Sequence, residues 1–488
     1  MIASLFSYLL GLIRDLILAY YFGATAVTDA YNTAFLVPDL IFTIITAGAI
    51  TGVFLPIFRN QYLEDKKAAA RLAAAFLWTG QLMVLGLSVV AFVAMPWIVQ
   101  TFFYAAEATQ AELIVNLSRI MLVSPFLFSL SNSLGSILMS FKHYLSYALS
   151  AGFYNLGIIA GILLFHEEYG IYSAAFGVIF GLFLHLGLRL IDLKGLDFKI
   201  GFALNAPKLK EIFVLSVPKT LGLVVWQFSL LAYNVIGYSL VAGSISSFNL
   251  ARNVQSFAVS LFGIAVATAV FPYLVDHKEL GESEMLQQKV EFTILQILFY
   301  TLPACAGLAV LSLQTSQFLF GRGAFSPEAV LLTAGILFYF SFSIPFESLM
   351  HLFSRIFYAF KNTWTPVLIN FVFLAINLSL SIYLAKIYGA QAFSIAFTIG
   401  NVIQVGLLYL FLSRYLKLNI QFLITQIFKL FLATAGMTLV VYYIQDWNYI
   451  LVIAVGVVVY FVQTKLLGMI RFAGLQRFNF LKKYEFFS

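Results

Sequence analysis

Charge is nearly absent from long stretches of this chain, and that feature restricts its fold more than any motif does. Only 10% of the 488 residues are Asp, Glu, Lys or Arg and 62% are apolar. A soluble domain carries roughly 25% charged residues, and single cores stop growing near about 250–300 residues. No water-soluble architecture of this length hides so much apolar surface. At roughly 20 residues per membrane-crossing helix, the apolar residues supply about fourteen or fifteen spans. Soluble enzymes, nucleic-acid-binding domains and disulfide scaffolds are excluded, and an all-α integral membrane protein is expected.

Hydropathy places spans near 2–22, 30–58, 73–103, 113–141, 146–166 and 170–190. A polar stretch around 191–211 follows, with Asp192, Lys194, Asp197, Lys199, Lys208, Lys210 and Glu211. Further spans lie near 212–241, 245–275, 290–313, 329–359, 364–387, 389–413, 424–444 and 447–468, fourteen in all. The apolar run at the start continues past residue 20 with no small-residue cleavage site, so it reads as the first span and not as a cleaved signal. Cys305 lies inside an apolar run and, being alone, forms no internal disulfide.

The loops between these spans sort by charge. One alternate set holds Arg59, Lys66, Lys67, Arg71, Lys142, Arg189, Lys194, Lys199, Lys208, Lys210, Lys278, Lys289, Lys361, Arg414, Lys417 and a tail from Lys465 to Lys483. The other holds little beyond Arg322 and Lys386, and carries Glu107, Glu112, Glu167, Glu168 and Asp446. Lys and Arg accumulate on cytoplasmic loops, so both termini are expected in the cytoplasm.

An internal repeat accompanies the even helix count. Tyr31-Asn32 and Phe54-Leu55-Pro56 of the second span are echoed by Phe248-Asn249 and Val270-Phe271-Pro272 of the eighth, and Phe141-Lys142 by Phe360-Lys361, at offsets of 216 to 219 residues. Six helices per unit give both units one orientation, the parallel kind of repeat found in transporters with a central site. The expected domains are an N-terminal six-helix lobe (1–205), a C-terminal six-helix lobe (206–414), and two further helices with a basic tail (415–488).

Charge inside a span costs roughly 2.5–3.5 kcal/mol on insertion scales and needs a reason. The first span carries Arg14-Asp15. Successive helical residues point about 100° apart, so the two are expected to find partners on other helices, as a structural ion pair or as ligand-binding groups. Asp39, Thr43 and Thr46 fall on one face of the second span, with Thr28 and Asp29 at its start, where capping suffices. The eighth span offers Asn249, Arg252 or Asn253, Ser256 and Ser260 as a polar stripe, serving packing or facing a cavity. Glu347, His351, Ser354 and Arg355 share a face of the tenth. Lys219 and Arg119 read as side chains snorkelling to the headgroups. Gly321 to Glu328 reads as a loop with Ser326 capping the next helix and Pro327 in its first turn. Asn116-Leu117-Ser118 and Asn377-Leu378-Ser379 match the glycosylation triplet inside spans and read as fortuitous. No metal-spaced cluster, phosphate-cradling glycine loop or nucleophile elbow is present, so neither an enzyme nor a cofactor or metal is expected.

Several blocks together are familiar. Gly11-Leu12-Ile13-Arg14-Asp15, Phe22-Gly23, Thr28-Asp29-Ala30-Tyr31, Ala34-Phe35, Pro38-Asp39, Gly48-Ala49 and Phe54-Leu55-Pro56 resemble the opening of the MurJ (MviN) lipid II flippases. Those belong to the multidrug/oligosaccharidyl-lipid/polysaccharide exporter superfamily. Gly263 to Thr268 with Pro272, Phe320 to Phe325, Phe357-Tyr358-Ala359, Asn362-Thr363 and Thr365-Pro366 are similar at the family's spacing, over nearly the whole chain.

The resemblance implies two lobes around a cationic cavity, a tail groove in the last two helices, and a monomer in the bacterial cytoplasmic membrane. Its implied cargo is a lipid-linked diphosphate oligosaccharide, lipid II. Its implied partners are membrane lipids and cell-wall synthesis enzymes, with no nucleic acid. Arg14, Asp15 and Asp29 match family positions of functional weight, and Asp39, Thr43, Asn249, Arg252, Asn253 and Ser256 complete the expected substrate-binding set. Where the family usually has another arginine in the first helix, Tyr8 stands here, and Thr43 and Ala47 replace its arginine and glutamate in the second. Where some members bind sodium, the matching places are Tyr233 or Asn234, and Ser381. Glu347, Asn377 and Ser381 are left as ion-coupling candidates. A different polyprenyl-diphosphate glycan as cargo, or a non-transporting scaffold role, are the alternative readings.

Overall fold

The structure, a computed structural model, describes residues 2–47, 53–196 and 200–474, without the side chains of residues 2–5, 8, 47 and 218. Gly48-Ala49, Asp197, Lys199 and the tail beyond Gly474 lie outside the described residues, as do the side chains of Tyr8 and Ala47. The described residues are helical almost throughout and contain no strand. Lipid forces this outcome, because a backbone group in hydrocarbon has no water to bond and a helix satisfies every one internally.

Among the described residues, eleven helices are long and apolar enough to cross a membrane, and Pro327–Ser341 with Ile344–Ala359 makes a twelfth span bent by 47°. These correspond to the third through fourteenth predicted spans. The first is the helix Ile2–Phe22, and the second is broken into Ala26–Ala34, Leu36–Phe42, a π-helix Thr43–Ala47 and Leu55–Glu64. The fourteen-span reading holds.

Local chemistry sets the breaks. Thr25 and Thr28 form a capping box that starts Ala26–Ala34, and the Asp65 carboxylate caps the 37-residue helix Lys66–Phe102. The predicted Ser326 cap forms, with its hydroxyl accepting from the Ala329 amide at 3.2 Å. Helices Tyr144–Tyr169 and Tyr172–Lys194 approach through glycines on both sides, Gly157 and Gly161 facing Gly177 and Gly181. A methyl group added to Gly161 would lie 2.6 Å from the Gly177 Cα, and one on Gly177 would lie 2.8 Å from the Ile158 Cα. Small residues spaced by four let two backbones meet, the usual basis of helix association where no hydrophobic drive exists.

The repeat is written into the backbone. Lys142 and Lys361, 219 residues apart, both adopt positive φ, 68° and 60°. In each case the following amide closes onto the carbonyl five residues before it, His143 to Leu138 at 3.0 Å and Asn362 to Phe357 at 2.9 Å. Gly170 and Gly389, again 219 apart, end their helices at φ 53°, ψ −134° and φ 57°, ψ −137°. The π-helix Thr43–Ala47 has its counterpart in Val259–Ile264, 216 residues on.

Packing divides the chain into two compact units, Met1–Ser247 with Phe320–Ala329, and Phe248–Leu319 with Val330–Ser488. In the first unit, the segment after Phe320 returns to the first helix, where the Ala324 amide donates to the Tyr20 carbonyl at 2.8 Å. Gly323 takes φ 65° there, and a side chain on it would strike Tyr20. In the second unit, Leu430, Met437, Val452 and Tyr460 of the last two helices join Leu295 and Phe299 in one core. An apolar cavity of about 420 Å³ opens among these helices, lined by Phe262, Phe299, Tyr300, Met437, Tyr449 and Tyr460 among others.

One expected loop cation is not in a loop. Arg189 lies inside Tyr172–Lys194 and is 2% exposed. It donates to the Ser131 carbonyl, to Asn132 Oδ1 at 3.0 Å and to Ser150 Oγ at 3.0 Å, and sits over the Tyr147 ring. Hydropathy windows end a helix at its first charge, whereas this guanidinium is enclosed by neutral acceptors on two neighbouring helices.

Candidate functional site

In the first unit, the polar residues of the first span meet those of the fifth. Arg14 donates from Nε (3.0 Å) and Nη2 (2.7 Å) to Asp15 Oδ1, and from Nη1 to Asn155 Oδ1 at 3.1 Å. This corrects the sequence expectation, which sent the two charges to separate helices. The stem of an arginine is long enough to fold its guanidinium back onto the next residue's carboxylate, despite the 100° between their Cβ directions. Asn155 is itself fixed, its amide donating to the Ser7 and Ala151 carbonyls. Asp15 is buried, while the Arg14 side chain keeps 26% exposure. Of its five N–H groups, one on Nη1 and one on Nη2 are not engaged by these contacts. The Tyr31 and Tyr154 hydroxyls lie within electrostatic reach of the guanidinium.

Asp29 does not cap its own helix. Its carboxylate accepts from the Gly243 amide (2.7 Å), the Ser246 amide (2.7 Å) and the Ser246 hydroxyl (2.7 Å), capping the helix Ser244–Ala258 instead. Nearby, Asn32 donates to Ser246 Oγ at 3.1 Å and Thr33 donates to Asn234 Oδ1 at 2.8 Å.

The predicted shared face of Asp39, Thr43 and Thr46 is also corrected. Asp39 is exposed, whereas Thr43 and Thr46 are buried. Thr43 accepts from Gln227 Nε2 at 3.2 Å, and Thr46 donates to Ser129 Oγ at 3.0 Å. The π-helix that begins at Thr43 adds a residue to the turn and rotates the residues after it out of α register.

In the second unit, the half-buried Glu347 accepts through Oε2 from Gln255 Nε2 at 2.7 Å, and the same amide reaches Ser343 Oγ at 2.9 Å. Arg252 is within electrostatic reach of Glu347, and Ser256 donates to Gln255 Oε1 at 3.3 Å. Asn249, Arg252, Asn253 and Ser256 are all half-buried. Arg355 donates to Thr268 Oγ1 at 2.7 Å. Asn377 and Ser381 are completely buried in Trp364–Tyr388, Asn377 beside Gly400. Among the described residues, no group of three or more His, Cys, Asp or Glu is placed to hold a metal ion.

Sequence reasoning missed Asn155, Gln255, Tyr31 and Tyr154. Asn155 and Gln255 are polar residues in apolar runs, the signal that singled out Arg14. Neutral amides simply stand out less.

A helical membrane bundle built twice in parallel, with polar constellations in its first and eighth spans, defines a transporter of the multidrug/oligosaccharide-lipid exporter type. An inward-facing multidrug-resistance transporter of the MOP superfamily shares the fold (TM-score 0.74, 15% identity, 83% of this chain and 93% of that one). The inward closed conformation of the lipid II flippase MurJ superposes at TM-score 0.84, with 24% identity over 96% of this chain and 98% of that one. The chain belongs to the lipid II flippase MurJ family, whose model matches residues 18–466. It is 27% identical to the probable lipid II flippase MurJ of Thermotoga maritima, over 96% of this chain and 95% of that one. To the lipid II flippase MurJ of Burkholderia cenocepacia it is 26% identical, over 84% and 82%. The protein is therefore a multi-pass membrane protein of a transporter family.

Proposed function

We propose that this protein moves lipid II, an undecaprenyl-diphosphate-linked muropeptide, from the inner to the outer leaflet by alternating access. The observation that carries the reading is Arg14, a partly exposed guanidinium within a span, held by Asp15 and Asn155 with N–H groups to spare. A diphosphate in a low-dielectric site requires fixed positive charge, and arginine meets phosphate oxygens with two parallel hydrogen bonds. In this reading 1–205 and 206–414 act as lobes, Arg252 and its neighbours form the second lobe's share of the site, and residues 415–488 supply the tail groove. The apolar cavity beside the last two helices has the chemistry of a prenyl-chain site. The protein acts as a monomer, with no catalytic step of its own.

A second reading keeps the mechanism and changes the cargo to another polyprenyl-diphosphate glycan. It is favoured by Thr43 and Ala47, which stand where the family usually has an arginine and a glutamate. One experiment addresses both. In cells depleted of their own flippase and expressing this chain, lipid II becomes accessible on the outer leaflet and growth is restored. Accumulation of lipid II on the inner leaflet despite full expression rejects the first reading.

Orientation follows from the loop charges. Reporters fused after Lys66, after Lys199 and at the C-terminus are expected in the cytoplasm, and those near Glu107 and Glu167 outside. An external signal after Lys199 overturns the arrangement.

A further inference from the structure

Asp39 stands apart from the other acids of the first unit. Asp15 is tied to Arg14, and Asp29 to Gly243 and Ser246. The Asp39 side chain, in contrast, is exposed and has no hydrogen-bond or ion-pair partner among the described residues, although Pro38 and Ile41 beside it are buried. A carboxylate deep in a span faces water or a partner and not lipid.

Its position is set by Tyr154, whose hydroxyl lies within electrostatic reach of both Arg14 and Asp39. Tyr154 adjoins Asn155, the residue that fixes Arg14, on the helix Tyr144–Tyr169. The result is a two-ended patch. Arg14 presents N–H donors at one end, Asp39 an acceptor carboxylate at the other, and a phenol stands between them. Asp15 already offsets the Arg14 charge, so Asp39 leaves this patch acidic overall. A diphosphate alone would be repelled by that carboxylate, whereas a headgroup bearing a diphosphate and an ammonium satisfies both ends.

We infer that Asp39 binds a protonated primary amine on the headgroup of the carried lipid, a specificity contact that rests on the flippase reading. The ammonium donates to the carboxylate while the diphosphate engages Arg14. Where the usual family cavity selects by positive charge, this one selects by the spacing of two opposite charges.

The test uses the full chain in nanodiscs and two probes, lipid II whose peptide carries a side-chain amine and the same lipid with that amine acetylated. An ion pair in a partly hydrated site is worth up to about 1 kcal/mol, so the amine-bearing probe is expected to bind about fivefold more tightly. The ratio is expected to fall to near one in Asp39→Asn and to persist in Asp39→Glu. Equal affinities in the unaltered protein overturn the inference, and so does a preference that survives in Asp39→Asn, which would trace to the bulk of the acetyl group. Equal affinities that vary steeply with pH make Asp39 a proton-binding group and overturn it too. Flipping of both probes in proteoliposomes is measured in parallel. Tighter binding of the amine with no transport of either probe rejects the flippase reading and leaves the contact standing.

Discussion

Arg14→Lys is expected to reduce flipping by about tenfold or more while leaving the protein abundant in the membrane. Lysine keeps the charge beside Asp15 but loses the planar two-pronged geometry, and a factor of ten corresponds to about 1.4 kcal/mol of lost hydrogen bonding. Arg14→Ala goes further, because it also removes the guanidinium facing the buried Asp15 carboxylate. That second loss costs up to about 3 kcal/mol of stability and lowers abundance. Combining Arg14→Ala with Asp15→Ala is expected to recover thermal stability without recovering transport. Stability and flipping are measured on the same purified variants. A double variant that flips at the original rate would show that Arg14 serves only to hold the fold.

The second large effect is expected at Asp29. Asp29→Ala strips three 2.7 Å hydrogen bonds from the start of the helix Ser244–Ala258. A helix cap is worth about 1–2 kcal/mol, enough to shift a two-state equilibrium by roughly 5- to 30-fold. The backbone carbonyl of Ala24 packs against Gly243 at the same place, so Ala24→Cys in a Cys305→Ala background reports on this contact. Labelling of that cysteine by an impermeant thiol reagent from outside is expected to rise in Asp29→Ala as flipping falls. Unchanged labelling together with normal flipping would confine Asp29 to an inert cap. Asp29→Asn keeps one acceptor oxygen and should fall between the two.

The spans were legible in the sequence because lipid leaves so few alternatives, and their caps because Thr25, Asp65 and Ser326 act within a few residues of where they stand. Arg14, Asp15 and Asp29 were legible as charges that hydrocarbon does not tolerate. Their partners were not. Asn155 lies 141 residues from Arg14, and Gly243 and Ser246 lie 214 and 217 from Asp29. Period 3.6 also failed where the helix itself changed period, between Asp39 and Thr46, and it took Arg189 for a loop residue because charge outweighed enclosure. Asp39 became informative only when the structure separated it from the threonines with which the pattern had grouped it.

The paired π-helices bear on how such a chain came to exist. A π-turn amounts to one residue inserted into a helix that would otherwise run on in α geometry. Such an insertion survives only where the turn after it still packs. Thr43–Ala47 and Val259–Ile264 carry it at matched places in two halves whose side chains have otherwise diverged. Two independent insertions at one register would be a coincidence, whereas a single insertion copied with its half requires none. The widened turn is then older than the two-lobed chain, inherited from an ancestor of half the size that worked as a pair of separate molecules.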